Sequence, residues 1–146
     1  MIRRAGPDDA AAIAALFRRS FGTLRFLPTL HTPEEDRAFF RRAAVEHEVW
    51  VFEEDGRILG FAALSPDMLE HLYVEPEANG RGIGTALLSC VKERRPEGFT
   101  FWVFQRNDRA RRFYERHGCR VVRLTDGAGN EENEPDALYE WRPVRP

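Results

Sequence analysis

The stretch "NGRGIGTALL" occupies residues 79–88. Gly80, Gly82 and Gly84 alternate with Arg81 and Ile83, and an apolar, helix-forming segment follows at once. Glycine is a poor helix former, so three of them at a helix start point to a turn with a purpose. The residues before the turn, "LEHLYV" (Leu69–Val74), read as a strand ended by Pro76. A strand, a glycine-rich turn and a helix N-terminus together make an anion site. The first-turn amides lack intrahelical partners and point outward. The helix dipole adds partial positive charge, and glycine lets an anion approach the backbone. A phosphate or pyrophosphate is the natural guest, and Arg81 could add a full charge.

Two familiar phosphate loops do not fit. A P-loop needs a lysine, then serine or threonine, after its last glycine; here Thr85 follows Gly84 directly. The dinucleotide fingerprint needs a third glycine three places after the second. Counted from Gly82 that place is Thr85, and the strand sits mid-chain rather than opening the fold.

Working outward, residues 1–4 read as a first strand. Pro7, Asp8 and Asp9 open a helix to about Phe21 that buries Ile13, Leu16 and Phe17. Thr32-Pro33-Glu34-Glu35 is a capping box, and its helix runs to about Ala44. Residues 49–52 and 58–64 form a hairpin around Asp55-Gly56. After the glycine turn come a helix over residues 83–94, a strand "FTFWVF" (Phe99–Phe104), and a helix from Asn107 to about His117 stopped by Gly118. The strand "RVVRL", a polar loop over residues 125–135 and a last strand over residues 137–141 complete the chain. The order β-α-α-β-β-β-α-β-α-β-β argues for an α/β or α+β sheet with helices on both faces.

The 146 residues make one domain, 1–146. Net charge is −2, so nothing pulls the chain toward nucleic acid or an anionic membrane. No apolar run approaches the ~20 residues of a membrane span. The N-terminus has no signal-peptide core, so a cytoplasmic location is expected. Cys90 and Cys119 have neither zinc nor redox spacing and read as small buried hydrophobes. No residue pattern suggests a metal.

The glycine turn resembles the acetyl-coenzyme A loop of the GNAT acetyltransferase superfamily, Q/R-x-x-G-x-G/A, with Asn79 in place of Q/R and Gly82 and Gly84 matching. "FWVFQRNDRARRFYERHGC" resembles the family's later segment, with Phe101, Val103, Asn107, Ala110, Phe113, Tyr114 and Gly118 in register and Cys119 replacing an aromatic. The resemblance covers nearly the whole chain. It implies a mixed, mostly antiparallel sheet of about seven strands, with the fourth and fifth splayed around acetyl-CoA. The pyrophosphate would lie on amides of Asn79, Gly80, Arg81, Gly82, Ile83, Gly84 and Thr85. The pantetheine arm would pair with Leu72, Tyr73 and Val74 like an added strand.

The reaction so implied moves an acetyl group to a primary amine, on a small molecule or a peptide, by direct attack. The Leu72 amide would hold the carbonyl oxygen. Tyr114 would protonate the leaving sulfur, Asn107 would contact the coenzyme, and Glu70 would be the base. By strand alternation His71 turns to the face opposite Glu70. Phe26, His31, Trp102 and Phe104 are candidate acceptor-lining residues. In the acidic loop Glu131 and Glu132, with Glu134 and Asp136, could attract a cationic acceptor. A non-catalytic coenzyme-A sensor and a transferase for a longer acyl group remain alternatives. Family members often form homodimers, but the sequence marks no pairing surface.

Overall fold

The seven strands form not one sheet but two, which touch at a single point. The computed structural model describes residues 1–144. Its first sheet has the order β1-β2-β3-β4, all antiparallel: β1 (Ile2–Arg4), β2 (Glu48–Glu54), β3 (Arg57–Leu64) and β4 (Leu69–Val74). The second has the order β5-β7-β6, also antiparallel: β5 (Phe99–Phe104), β6 (Arg120–Leu124) and β7 (Asp136–Trp141). Among the described residues the only backbone pairing between them is a parallel bridge at the start of β4 and β5, Met68 opposite Thr100, where the Thr100 amide donates to the Asp67 carbonyl at 3.2 Å. Beyond that point no ladder joins the two strands, so they diverge toward their C-terminal ends.

Local chemistry sets the elements. Asp55 and Gly56 both have positive φ, 52° and 77°, the geometry of a two-residue hairpin turn. Thr32 accepts from the Glu35 amide and Glu35 from the Thr32 amide, the reciprocal cap that starts α2 (Pro33–Glu46). The preceding helix, α1 (Ala10–Phe21), follows a 3-10 turn at Pro7–Asp9.

α1 and α2 cover one face of the first sheet, where Ile13, Leu16 and Phe40 pack on Val49, Val51 and Phe61. α3 (Ile83–Arg94) covers the other face. With α4 (Asp108–Arg116) it encloses a second core of Leu87, Leu88, Val91, Phe101 and Tyr139. Strand β3 contributes to both cores and is apolar along nearly its whole length, as a strand covered on both faces must be.

Two contacts position the glycine turn. Glu75, just past β4, is 1 % exposed, and the Arg19 guanidinium of α1 grips its carboxylate with contacts of 2.6–3.1 Å. That pairing holds the Glu75 carboxyl below the usual carboxylate range. Gly60 in β3 lets α3 approach the sheet: a Cβ there would meet Leu87 Cδ1 at 2.9 Å, Ile83 Cγ2 at 3.0 Å and the Tyr73 carbonyl at 3.2 Å.

Gly60→Val should therefore push α3 outward and cost about 1–3 kcal/mol, the range for overpacking a close-packed contact. Urea unfolding measures it; a midpoint equal to wild type would show that α3 is not set by this contact.

Candidate active site

The site begins at the open edge of β4. The Glu75 amide donates to the Leu59 carbonyl at 2.8 Å, and Phe61 pairs with Tyr73 in register. Alternate residues of an antiparallel pair point their backbone groups away from the partner. Leu72 and Val74 therefore turn their N–H and C=O into the gap between β4 and β5, where no strand meets them.

At the top of that gap lies the glycine turn. Gly80 and Gly82 have φ of 84° and 82°, and Gly82 is the N-cap of α3 without a side chain to cap it. The first amide of α3 to find a backbone acceptor is Ala86, on Gly82 O at 3.0 Å. Amides 80 to 85 have no protein acceptor among the described residues, whereas the Asn79 amide turns back onto Pro76 O at 3.3 Å. A Cβ on Gly80 or Gly82 would meet nothing within 4 Å, so both amides stand in open space. Such a run of unpartnered amides at a helix N-terminus forms a cradle with the geometry and partial charge that suit an anion.

Arg81, read from the sequence as a possible phosphate charge, is instead paired with Glu54 at the hairpin end, with N–O distances of 2.8 and 2.9 Å. The unpartnered donors of the turn are therefore backbone amides. Thr85 has a further contact: its hydroxyl lies 3.1 Å from His117 Nε2, while His117 Nδ1 lies 2.8 Å from the Phe113 carbonyl. This ties the start of α3 to the end of α4. Gly84 makes room for the Phe113 ring, 3.3 Å from where a Cβ would stand.

Tyr114 is carried by α4, and Asn107 caps that helix by accepting from the Ala110 amide at 3.2 Å. The Tyr114 ring packs on Phe101 with centroids 4.3 Å apart. Tyr139 of β7 stacks on Phe101 in turn, accepts from Arg111 at 2.9 Å and donates to Glu115 at 2.6 Å, which fixes α4 to the sheet. Burial raises the Tyr114 phenol well above its ordinary pKa, and the nearby Tyr73 hydroxyl adds to the rise. Neither hydroxyl has a partner among the described residues, although no buried side-chain polar atom there is left unsatisfied; each oxygen therefore reaches accessible space.

On the other side of β4 lies a cavity of about 670 Å³ between α1, α2 and β5. Its wall is aromatic, with Phe17, Phe39, His71, Tyr73, Trp102 and Phe104, and its rim is acidic. A second cavity of about 420 Å³ adjoins it and shares Trp102, Phe104 and Glu132. The alternation expected for β4 holds only from residue 71 on: Leu72 and Val74 pack toward α3, His71 and Tyr73 toward α1, but a register shift opposite Ala63 and Leu64 puts Leu69 in the Leu72 core and Glu70 on the His71 cavity, not on the opposite face. The cavity, however, opens on the His71 face, and sequence alone could not say which face that would be. Glu70 reaches the rim, where it accepts from the Ser65 hydroxyl at 2.9 Å.

The loops that roof the cavity are tied together. His31 Nε2 lies 3.0 Å from Glu131 Oε1. Phe26 meets Phe104 edge-on at 6.3 Å, and the Arg106 guanidinium lies 4.4 Å over Phe26. Arg106 also forks onto Glu134 with two contacts of 2.8 Å. Glu134 and Asp136, offered above as acceptor-attracting carboxylates, are both buried and bonded within the loop, Asp136 to Thr125 and Asn130.

Residues 45–120 match a family model described as an acetyltransferase (GNAT) domain. The chain belongs to the GNAT acetyltransferase family. Over 98 residues this acetyltransferase is 37 % identical to peptidyl-lysine N-acetyltransferase YiaC of Escherichia coli K12, covering 66 % of this chain and 64 % of that one. It is 32 % identical over 133 residues to the uncharacterized N-acetyltransferase YhfO of Bacillus subtilis 168, covering 80 % and 87 %. The solution structure of YjaB from Escherichia coli superposes with a TM-score of 0.78 at 25 % identity, over 97 % of this chain and 96 % of that one. The GNAT domain has no helix among its described residues long and apolar enough to cross a membrane.

His71 gives a direct test of the cavity's interior. Burial among aromatic rings pushes its imidazole down to about 4, with Asp36 opposing the shift. The unfolded chain, with an ordinary His pKa of about 6.5, binds the proton first. Stability should therefore fall as pH drops from about 6.5 through about 4. His71→Phe should lose this part of the slope between pH 7 and pH 5 in urea titrations; equal slopes would place the ring in water.

Proposed function

We propose that this acetyltransferase moves an acetyl group from acetyl-CoA to the side-chain amine of a lysine in a polypeptide. The observation that carries the proposal is the meeting of two spaces at the Leu72 edge. One is a slot of unpartnered amides that suits a pyrophosphate and an extended amide chain. The other is an aromatic, acid-rimmed cavity that suits an alkylammonium. The two adjoining cavities, of about 670 and 420 Å³, offer space beyond that of a lysine side chain, and relatives named as peptidyl-lysine acetyltransferases favour that acceptor.

In this reading, amides 80–85 hold the pyrophosphate and the backbone groups of Leu72 and Val74 pair with the pantetheine amides, as in strand addition. The residues present fit the coenzyme on these two counts. Bound there, it supplies an activated acyl carbon. The Leu72 N–H faces the carbonyl oxygen and stabilises the charge that grows on it during attack. Tyr114 is protonated at neutral pH, as a donor to the departing sulfur must be. Glu70, the base offered by the sequence, lies at the cavity rim with its carboxylate already accepting from Ser65, which leaves the proton to another carboxylate of the cavity. Asn107 keeps its amide NH₂ free for the coenzyme while its carbonyl caps α4.

Two measurements test this. Calorimetry should show coenzyme A binding to the wild type and binding about tenfold or more weaker to Gly82→Val, because a β-branched residue at φ 82° is strained and its side chain enters the cradle. Undiminished binding would remove the turn from the site. Tyr114→Phe should lower kcat about 10–1000-fold while coenzyme affinity holds. An unchanged kcat would take the hydroxyl out of the chemistry.

A further inference from the structure

Six carboxylates line the two adjoining cavities, and five of them are engaged. Glu35 accepts from the Thr32 amide at 2.8 Å, and Asp36 from Arg18 at 2.7 Å. Glu70 accepts from Ser65 at 2.9 Å, and Glu131 lies 3.0 Å from His31. Asp136 is bonded to Thr125 and to Asn130. Among the described residues Glu132 alone accepts from no N–H or O–H donor of another residue and pairs with no cation; its side-chain neighbour is the like-charged carboxylate of Glu131, and of the six it alone lines both cavities. It does so together with Trp102 and Phe104 of β5 and is close enough to β4 for its charge to act on the Tyr73 hydroxyl.

A free carboxylate on an aromatic wall, at the junction of two cavities, is the one negative group here able to take a cation without first giving up a partner. We propose that Glu132 is the residue that receives the acceptor's ammonium group and takes its proton before attack. The assignment rests on the lysine reading above and deepens it. It also separates Glu132 from the rest of the acidic loop. Glu131 is spent on the His31 clasp that closes the roof, and Glu134 on Arg106.

The step balances. One proton passes from the acceptor ammonium to a Glu132 oxygen. The freed nitrogen lone pair forms the bond to the acyl carbon as the carbon–sulfur bond breaks, and its electron pair goes to sulfur. Tyr114 gives its hydroxyl proton to that sulfur and recovers one from the new amide nitrogen. Glu132 then returns its proton to solvent. Partial burial and the facing Glu131 raise the Glu132 carboxyl above its ordinary range, which makes it a better proton acceptor than an exposed glutamate.

The experiment uses the full chain and two peptides alike except that one carries lysine and the other norleucine, an uncharged chain of similar reach. Calorimetry with the wild type should favour the lysine peptide, and Glu132→Gln should erase most of that preference. With the lysine peptide, kcat/KM of Glu132→Gln should fall about 100-fold or more, in line with loss of a general base, while coenzyme A affinity stays within twofold and reports an intact fold. Glu132→Asp should recover part of the loss. Asp126→Asn removes an exposed charge of the same loop and should leave kcat/KM within twofold. A preference and a kcat/KM retained in Glu132→Gln, or an equal loss in Asp126→Asn, would overturn the assignment while leaving lysine transfer standing. A wild type that acetylates no lysine peptide would remove the lysine reading, and the assignment with it.

Discussion

The open edge of β4 is the constraint on which the rest of this structure depends. A strand inside a sheet spends its backbone groups on two neighbours. β4 has one neighbour, because β5 touches it only at Met68 and Thr100 and then turns away with its own sheet. The backbone groups of Leu72 and Val74 are left facing a gap. An unpaired edge of this kind is normally a liability for aggregation. Here the divergence of the two sheets shields it in a cleft, where an extended ligand can take the missing strand's place.

Keeping the cleft open takes packing on both sides. On one side Tyr139, Phe101 and Tyr114 stack across β7, β5 and α4, and the Arg111–Tyr139–Glu115 hydrogen bonds hold α4 to the second sheet. On the other, the Arg19–Glu75 pair and the close approach at Gly60 set the first sheet, α1 and α3 in one register. A buried ion pair is weak evidence for net stability, but it fixes geometry, and Glu75 is the residue from which the chain leaves β4 for the glycine turn. The unpartnered amides of α3 are therefore aimed by the same contacts that hold the cleft apart.

The two faces of β4 divide the chemistry. The face toward α3 and α4 carries the cradle and Tyr114; the face toward α1 and α2 carries the aromatic, acid-rimmed cavity. The Tyr73 ring lines that cavity, while Tyr114 packs on Phe101 in the other core. In the proposed reaction the anionic coenzyme and the cationic acceptor would approach from these two faces.

The element order and most boundaries were legible in the amino-acid sequence because they follow from local rules: alternation in β4, the Thr32 capping box, the Asp55-Gly56 turn, the uncapped glycine N-terminus of α3. The cradle was legible for the same reason, since an orphan amide is a property of a helix end and its neighbours in the chain. What the sequence could not supply were facts about which distant groups meet. One such fact is that Arg81 is drawn to Glu54, 27 residues away. Another is that the cavity opens on the His71 face of β4. A third is that Glu131, Glu134 and Asp136 find partners while Glu132 does not. The five acidic residues of the 126–136 stretch are equivalent by composition. Only the tertiary fold distinguishes them, because whether a carboxylate is free depends on whether another part of the chain reaches it first.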